Sequence, residues 1–291
     1  MKIERTDFPI GEKYEGKVRD VYDAGNGELV VIAKDRISAF DRVLGTIQDK
    51  GQLLNQLSAF WFEETKRIIP NHLIKVIDPN ISVVRKLDGI PLEVVVRGYL
   101  TGSTDTSIWT RYQNGEREFG DERLPDGLDK NSQFPKPIVD LFTKEEKGKH
   151  DKPISRMEAV NGRILYYDCL LKLTQASLDL FEYGSKFLKE RGVTLVDTKY
   201  EFGLDKYKNL VLMDEVHTPD SSRFWLGGNP DIPLDKDVFR RQPEVNSRTE
   251  LEIIKAYKII YELTTGEKYE PPQINSLERM EKNLRNAGYL K

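Results

Sequence analysis

The chain has 291 residues, 38% of them hydrophobic and 10% aromatic, and 45 Lys and Arg against 48 Asp and Glu leave a formal net charge of −3. That length and apolar content support a large core divided into two lobes, and the mixed charge excludes nucleic-acid binding driven by bulk positive charge. No apolar run approaches the roughly 20 residues of a membrane span, the start Met1-Lys-Ile-Glu-Arg-Thr-Asp7 has no apolar signal core, and a single cysteine, Cys169, excludes an internal disulfide, so a reducing cytoplasm is expected.

In chain order, residues 14–23 and 28–34 read as strands joined by Ala24-Gly-Asn-Gly27, a hairpin turn signal. Gly51 precedes a helical pattern over residues 53–69, ended by Pro70. Residues 73–77 and 81–86 read as strands. Residues 92–96 are apolar and β-branched apart from Glu93, close to the pattern of a buried strand. Residues 114–153, rich in Gly, Pro and charge, read as long irregular loops. Ser155-Arg-Met-Glu158 has the capping-box pattern of a helix start. A helical pattern over 163–190 carries Cys169 as core filler and stops at Gly192. Strands over 194–200 and 210–213 flank the polar turn Gly203-Leu-Asp-Lys-Tyr-Lys-Asn209, and amphipathic helices near 249–264 and 276–287 close the chain.

The chemistry concentrates at the 194–213 hairpin. Its antiparallel pairing would bring Glu201 and Asp214 together, two hard oxygen ligands of the kind a magnesium-bound nucleotide uses alongside its phosphates. In an extended strand alternate side chains share a face, so Asp197, Lys199 and Glu201 should point into one cleft. Thr218-Pro-Asp-Ser-Ser-Arg-Phe-Trp225 reads as a polar loop that could hold a ligand. Gly16-Lys-Val-Arg-Asp20 offers a glycine for close backbone approach, with Lys17 and Arg19 suited to phosphates. No P-loop and no G-x-G-x-x-G fingerprint is present, so a nucleotide would lie under a β-hairpin cover. Ser38-Ala-Phe-Asp41 reads as a turn or as a polar loop facing the cleft. Arg97-Gly-Tyr-Leu-Thr-Gly-Ser103 suits anion binding or an interlobe hinge, and both readings can hold together. His72, His150 and His217 have no metal-ligand spacing.

Taken together, Gly16-Lys-Val-Arg-Asp-Val-Tyr22, Ser38-Ala-Phe-Asp41, Val96-Arg-Gly-Tyr-Leu-Thr-Gly-Ser103, Asp197-Thr-Lys-Tyr-Glu-Phe-Gly203 and Asp214-Glu-Val-His-Thr-Pro-Asp-Ser-Ser-Arg-Phe-Trp225 resemble the SAICAR synthetase family. The motifs run in family order, and the likeness spans residues 16 to about 242. His150-Asp151 and Ile154-Ser155 resemble its longer, yeast-like branch. No fused carboxylase domain is seen, so the monofunctional form is expected. After Ser103 the chain reads Thr104-Asp-Thr-Ser-Ile-Trp109, longer than the family's shorter form, which adds Thr104 and Ser107 as candidate substrate hydroxyls.

The resemblance implies an α+β, two-lobed ATP-grasp or kinase-like architecture, with a β-rich lobe over 1–96, an α/β lobe over 97–291, and ATP in the cleft. It implies ATP-dependent joining of L-aspartate to the carboxylate of an imidazole ribonucleotide, CAIR, to give SAICAR in purine biosynthesis. ATP and Mg²⁺ are the implied cofactors, and small molecules the implied partners, without nucleic acid or membrane. The nucleotide is expected at Gly16, Lys17 and Arg19, with Glu93 and Val95 near adenine, and the metal at Glu201 and Asp214. CAIR is expected on Arg97, Ser103, Asp197, Lys199, Arg223 and Arg240, with Ser38 and Asp41 nearby, and Lys199 and Arg223 acting in catalysis. A kinase-like phosphotransferase would show His-Arg-Asp and Asp-Phe-Gly strings, and neither occurs. A catalytically silent nucleotide binder would have lost the metal acids or the cradle cations, and all are present.

Overall fold

The computed structural model of the chain describes residues 2–39, 42–104, 106–144, 151–241, 246–271 and 275–291. From the N-terminus, strands β1 (Lys13–Glu15), β2 (Arg19–Gly25) and β3 (Glu28–Ala33) are followed by the hairpin β4 (Arg36–Ala39) and β5 (Arg42–Thr46). Helix α1 (Lys50–Thr65) and strands β6 (Leu73–Asp78) and β7 (Ile81–Arg85) come next. The first sheet takes the order β1-β2-β3-β7-β6, antiparallel throughout. Its β2–β3 connection is the expected hairpin. Gly25, Asn26 and Gly27 all take positive φ, a conformation that glycine and asparagine adopt at least cost. Helix α1 stops short of Ile69 because Ile68 and Ile69 turn back on the Thr65 carbonyl before Pro70.

The second half contains β8 (Asp88–Tyr99), α2 (Ile108–Gln113), the two-residue strands β9 (Glu118–Phe119) and β10 (Glu122–Arg123), β11 (Gln133–Thr143) and β12 (Pro153–Ile154). It continues through α3 (Arg156–Asn161), α4 (Tyr167–Lys189), β13 (Val193–Leu204), β14 (Leu210–Met213), β15 (Ser222–Leu226), α5 (Asp237–Arg240), α6 (Ser247–Thr265) and α7 (Ser276–Asn286). The second sheet runs β12-β11-β8-β13-β14, and β15 also pairs with β13. The capping box at Ser155 and Glu158 forms as its sequence requires.

Three segments differ from the sequence reading. The stretch expected as loops over 114–153 contains β11, an inner strand of the second sheet. Its pattern is broken by Pro135 and Pro137, which fall where the pairing with β8 shifts register between Gln133 and Ile138; the regular ladder starts at Ile138. The stretch after Thr218 is not all loop: Ser222–Leu226 forms β15. The strand read over 92–96 runs on both sides as β8, so Arg97 lies within a strand and the expected division between residues 96 and 97 falls inside it.

The back of the second sheet is apolar. Val94, Val96, Tyr200 and Phe202 are buried in one cluster with Leu173, Leu180 and Phe181 of α4 and Ile253, Tyr257 and Ile260 of α6. Each fully buried aliphatic or aromatic side chain there contributes about 1.5–3 kcal/mol relative to exposure. A second cluster joins Tyr22, Val30, Ile32, Ile81 and Val83 of the first sheet to Met280 and Leu284 of α7. Arg279 of α7 anchors that contact through both oxygens of the buried Asp78, at 2.9 and 3.1 Å. With its back packed, the second sheet presents its other face as a polar one, from which Lys199 reaches the cavity shared with the first sheet.

Candidate active site

The polar face follows from strand alternation and register. Residues 93, 95 and 97 of β8 share one face, as do 197, 199 and 201 of β13. The ladder sets Arg97 opposite Asp197, Val95 opposite Lys199 and Glu93 opposite Glu201. On the other side of β13, Arg223 of β15 stands opposite Asp197. Asp197 is thereby flanked by two arginines. Arg223 donates to it at 2.5 Å, and an Arg97 nitrogen stands 3.9 Å away. The row extends both ways through buried acids: Arg97 donates to Asp140 at 3.3 Å, Arg223 to Asp237 at 3.2 Å, and Arg240 to Asp237 at 2.7 Å. Burial draws Arg97 below the ordinary arginine pKa despite Asp140 and Asp197. For Arg223 burial is outweighed by Asp197 and Asp237, and its pKa rises.

Lys199 is the next charge along β13. Its ammonium donates to Glu93 at 2.9 Å and also to Glu201, which accepts from Lys144 as well. Burial opposes this charge, but Glu201 and Glu93 outweigh it and keep Lys199 protonated well above the ordinary lysine value. Lys199 is thus held as an ammonium between the two acids. Asp214 follows β14 with φ of 70°, a left-handed conformation uncommon for a residue with a side chain. Arg19 reaches across from the first sheet and bonds both Asp214 and Glu215, the latter at 2.6 Å. Burial alone would raise the Asp214 pKa; Arg19 and Lys199 outweigh it and hold the carboxyl well below the usual carboxylate range.

Two cavities meet this face. The first, of about 390 Å³, is walled by both sheets and α1, with Leu29, Val31, Leu54, Phe62, Val84 and Met213 giving it a mainly apolar surface. Gly16, Lys17, Arg19, Lys34, Asp214 and Glu215 supply its charge and its close backbone approach. A side chain at residue 16 would place Cβ 2.9 Å from the Arg19 carbonyl oxygen, which the Gly16 N–H bonds at 2.8 Å, so the turn requires glycine. His72 also lines this cavity, and burial pushes its pKa down to about 3, so it is a neutral imidazole there. The second cavity, of about 290 Å³, is lined by Glu93, Val95, Arg97, Asp197, Lys199, Asp220, Arg223 and Arg240, among others. Among the described residues Lys199 alone lines both.

A sequence profile of SAICAR synthetase matches residues 12–255. A phosphoribosylaminoimidazole-succinocarboxamide synthase of Legionella pneumophila (strain Paris) is 42% identical over 289 residues, covering 92% of each chain. The chain belongs to the SAICAR synthetase family. The family's members are ATP-dependent ligases of purine biosynthesis. Among solved structures, the SAICAR synthase of Saccharomyces cerevisiae complexed with SAICAR superposes with a TM-score of 0.81 at 31% identity, over 92% of this chain and all of that one. A type-2 SAICAR synthetase in complex with ADP gives 0.74 at 34% identity, over 89% of this chain and all of that one.

The residues singled out in the sequence divide between the cavities in a way it did not foresee. Gly16, Lys17 and Arg19 line the first, and so does Ser38, which was expected with the substrate and lies in β4. Glu93 and Val95, expected near adenine, line the second, because alternation along β8 sets them on the same face as Arg97. The segment Arg85 to Leu87 borders the apolar cavity instead. Arg97, Asp197, Lys199, Arg223 and Arg240 come together as expected. Ser103 is exposed and is not in the lining, whereas Thr104, Thr106 and Ser107 are. Asp41 and His150 lie outside the described residues. Sequence reasoning missed Lys144, Asp140 and the cluster at Asp220, which accepts from Lys50 at 2.7 Å, Lys236 at 3.2 Å and Tyr257 at 2.8 Å. Lys144 and Asp140 were hidden in the stretch read as loops, and Lys50 and Lys236 carry no motif.

Proposed function

We propose that this chain joins L-aspartate to the carboxylate of CAIR through an acyl phosphate, with ATP in the first cavity and CAIR in the second. The observation that carries the reading is Lys199, a fixed cation on the wall of both cavities. A carboxylate is a poor acyl donor because its leaving group would be oxide. Attack of a CAIR carboxylate oxygen on the γ-phosphorus gives an acyl phosphate and ADP. The aspartate amine then attacks the acyl carbon, inorganic phosphate leaves, and the nitrogen loses its extra protons to give the amide. Catalysis is chiefly positioning and charge neutralisation.

In this reading Lys17 and Arg19 hold phosphates under the hairpin of the first sheet, while the apolar wall takes the base. Arg97, Arg223 and Arg240 hold the two anionic ends of CAIR, since the planar guanidinium fork matches both phosphate and carboxylate. Asp197 accepts ribose or ring hydrogen bonds, Lys199 faces the reacting carboxylate, and Thr104 or Ser107 supplies the hydroxyl expected of Ser103. The donor set also fits Mg²⁺. No group of three or more His, Cys, Asp or Glu able to cage a metal occurs among the described residues, and a magnesium ion held largely by substrate phosphates needs only one or two carboxylates. Glu201 and Asp214 would hold it, and its charge would offset that building up on the transferred phosphoryl group. The lone cysteine suits a reducing compartment such as the cytoplasm.

Incubation with ATP, Mg²⁺, L-aspartate and CAIR, omitting each in turn, tests the reading. SAICAR and ADP should appear in equal amounts only in the complete mixture. ATP turnover at the same rate without CAIR, with no amide formed, would mark a generic ATPase.

A further inference from the structure

Asp140 is almost wholly buried, its side chain 3% exposed, and it sits on β11 opposite Val95, on the face that carries the second cavity but outside its lining. One of its oxygens, Oδ2, accepts from two guanidiniums, Arg97 Nε at 3.3 Å and an Arg111 nitrogen at 2.7 Å. Arg97 lines the cavity. Arg111 belongs to α2, and the segment leading into α2 places Thr104, Thr106 and Ser107 in the same lining. Ser107 caps that helix by accepting from the Thr110 N–H, so the hydroxyl segment moves with α2. Both guanidiniums also lie over the ring of Phe142, at 5.8 and 5.9 Å from its centroid.

We propose that Asp140 is a positioning residue for the ligand of the second cavity: it fixes the Arg97 fork and docks the α2 segment so that its hydroxyls face the same anion. The inference rests on the assignment of CAIR to that cavity. Without the carboxylate, the two guanidiniums beside Phe142 lose the anion they share: Arg111 keeps Glu116, and Arg97 is the less compensated of the two. Removing one member of a buried pair leaves an uncompensated charge, which turns away or draws in water. Among the described carboxylates Arg97 then retains Asp197, at 3.9 Å, and α2 loses its ion pair to β11 while keeping the apolar packing of Ile108 and Tyr112.

The test is Asp140→Asn, nearly isosteric, with kcat, KM for CAIR, KM for ATP and Tm measured together. Mispositioning raises KM for CAIR by about tenfold or more and leaves KM for ATP within about twofold, since the first cavity is untouched. A second variant, Arg111→Gln, keeps the Arg97 contact but removes the ion pair from α2 to Asp140, and gives a smaller rise in the same constant. It carries the test alone if Asp140→Asn fails to fold. A KM for CAIR within about twofold of wild type in the folded variants, with only Tm or kcat lowered, would make Asp140 a purely structural residue. A wild-type chain that makes no SAICAR sinks the assignment and this inference together; a normal wild type with unmoved variants sinks this inference alone.

Discussion

The first cavity offers a ligand mainly apolar walls with charge confined to a few groups, whereas the second is lined by charged side chains and hydroxyls, with Val95 and Phe142 as its apolar members. In the second, four acids, Glu93, Asp151, Asp197 and Asp220, face four cations, Arg97, Lys199, Arg223 and Arg240. Net charge therefore cannot be what selects its ligand. Asp197 holds Arg223 and flanks Arg97, Glu93 holds Lys199 and Asp237 holds Arg240 before any ligand arrives, so an incoming anion meets cations already aimed and has little side-chain entropy to overcome. The first cavity instead gains from removing apolar surface from water, which is tolerant of ligand shape. Specificity is expected to reside in the second cavity, and nucleotide affinity in the first.

The largest expected effect comes where the two regions meet. Glu201→Gln removes a charge held between Lys199 and Lys144, and kcat should fall on the order of 10²–10³-fold, the usual cost of losing a preorganised electrostatic group. Near-normal turnover at limiting Mg²⁺ would dissolve the link between the cavities. Next is Arg223→Lys, which keeps the charge but cannot span Asp197 and Asp237 as the fork does. KM for CAIR should rise about tenfold with little change for ATP, and an unchanged CAIR dependence would remove Arg223 from the cradle. On the other side, Lys17→Ala should raise KM for ATP a few-fold, about 1 kcal/mol of charge-assisted bonding, and should affect aspartate less. A larger shift for aspartate would show that a different substrate lies under the hairpin.

Outside both cavities, a further effect is on stability against pH. Asp235 is buried beside Asp237, and burial followed by that neighbour pushes its pKa from 3.8 up to about 7. A carboxyl whose folded pKa is raised favours the fold fully below its unfolded value. That contribution is lost as pH rises from about 4 to 7, on the order of 1–4 kcal/mol in all. Asp235→Asn should flatten this part of the Tm profile, and an unaltered slope would reassign it to another group.

The same contrast governs what could be read from the sequence. The cover of the first cavity was legible because its hairpin is written in local residues, with Gly25, Asn26 and Gly27 in the turn and alternation on either side. Asp197, Lys199 and Glu201 were legible on one face because a strand has period two. The partners of that face were not. Which cavity covers that face is a long-range property, and the structure sets Glu93 and Val95 in the lining of the second cavity, where local pattern alone gives no sign of it. The prolines at 135 and 137 hid β11 and with it Asp140. A motif dense in serine and aspartate hid the short strand β15, although Arg223 owes its direction to that strand.

The central claim is that the ligands of the two cavities exchange a phosphoryl group at Lys199. It is tested most directly with CAIR carrying ¹⁸O in its carboxylate, incubated with ATP, Mg²⁺ and L-aspartate. If the carboxylate oxygen attacks the γ-phosphorus, one labelled oxygen must leave with the inorganic phosphate as the amide forms. Phosphate bearing one ¹⁸O per SAICAR made is the expected result, and amide formation with unlabelled phosphate would contradict the account.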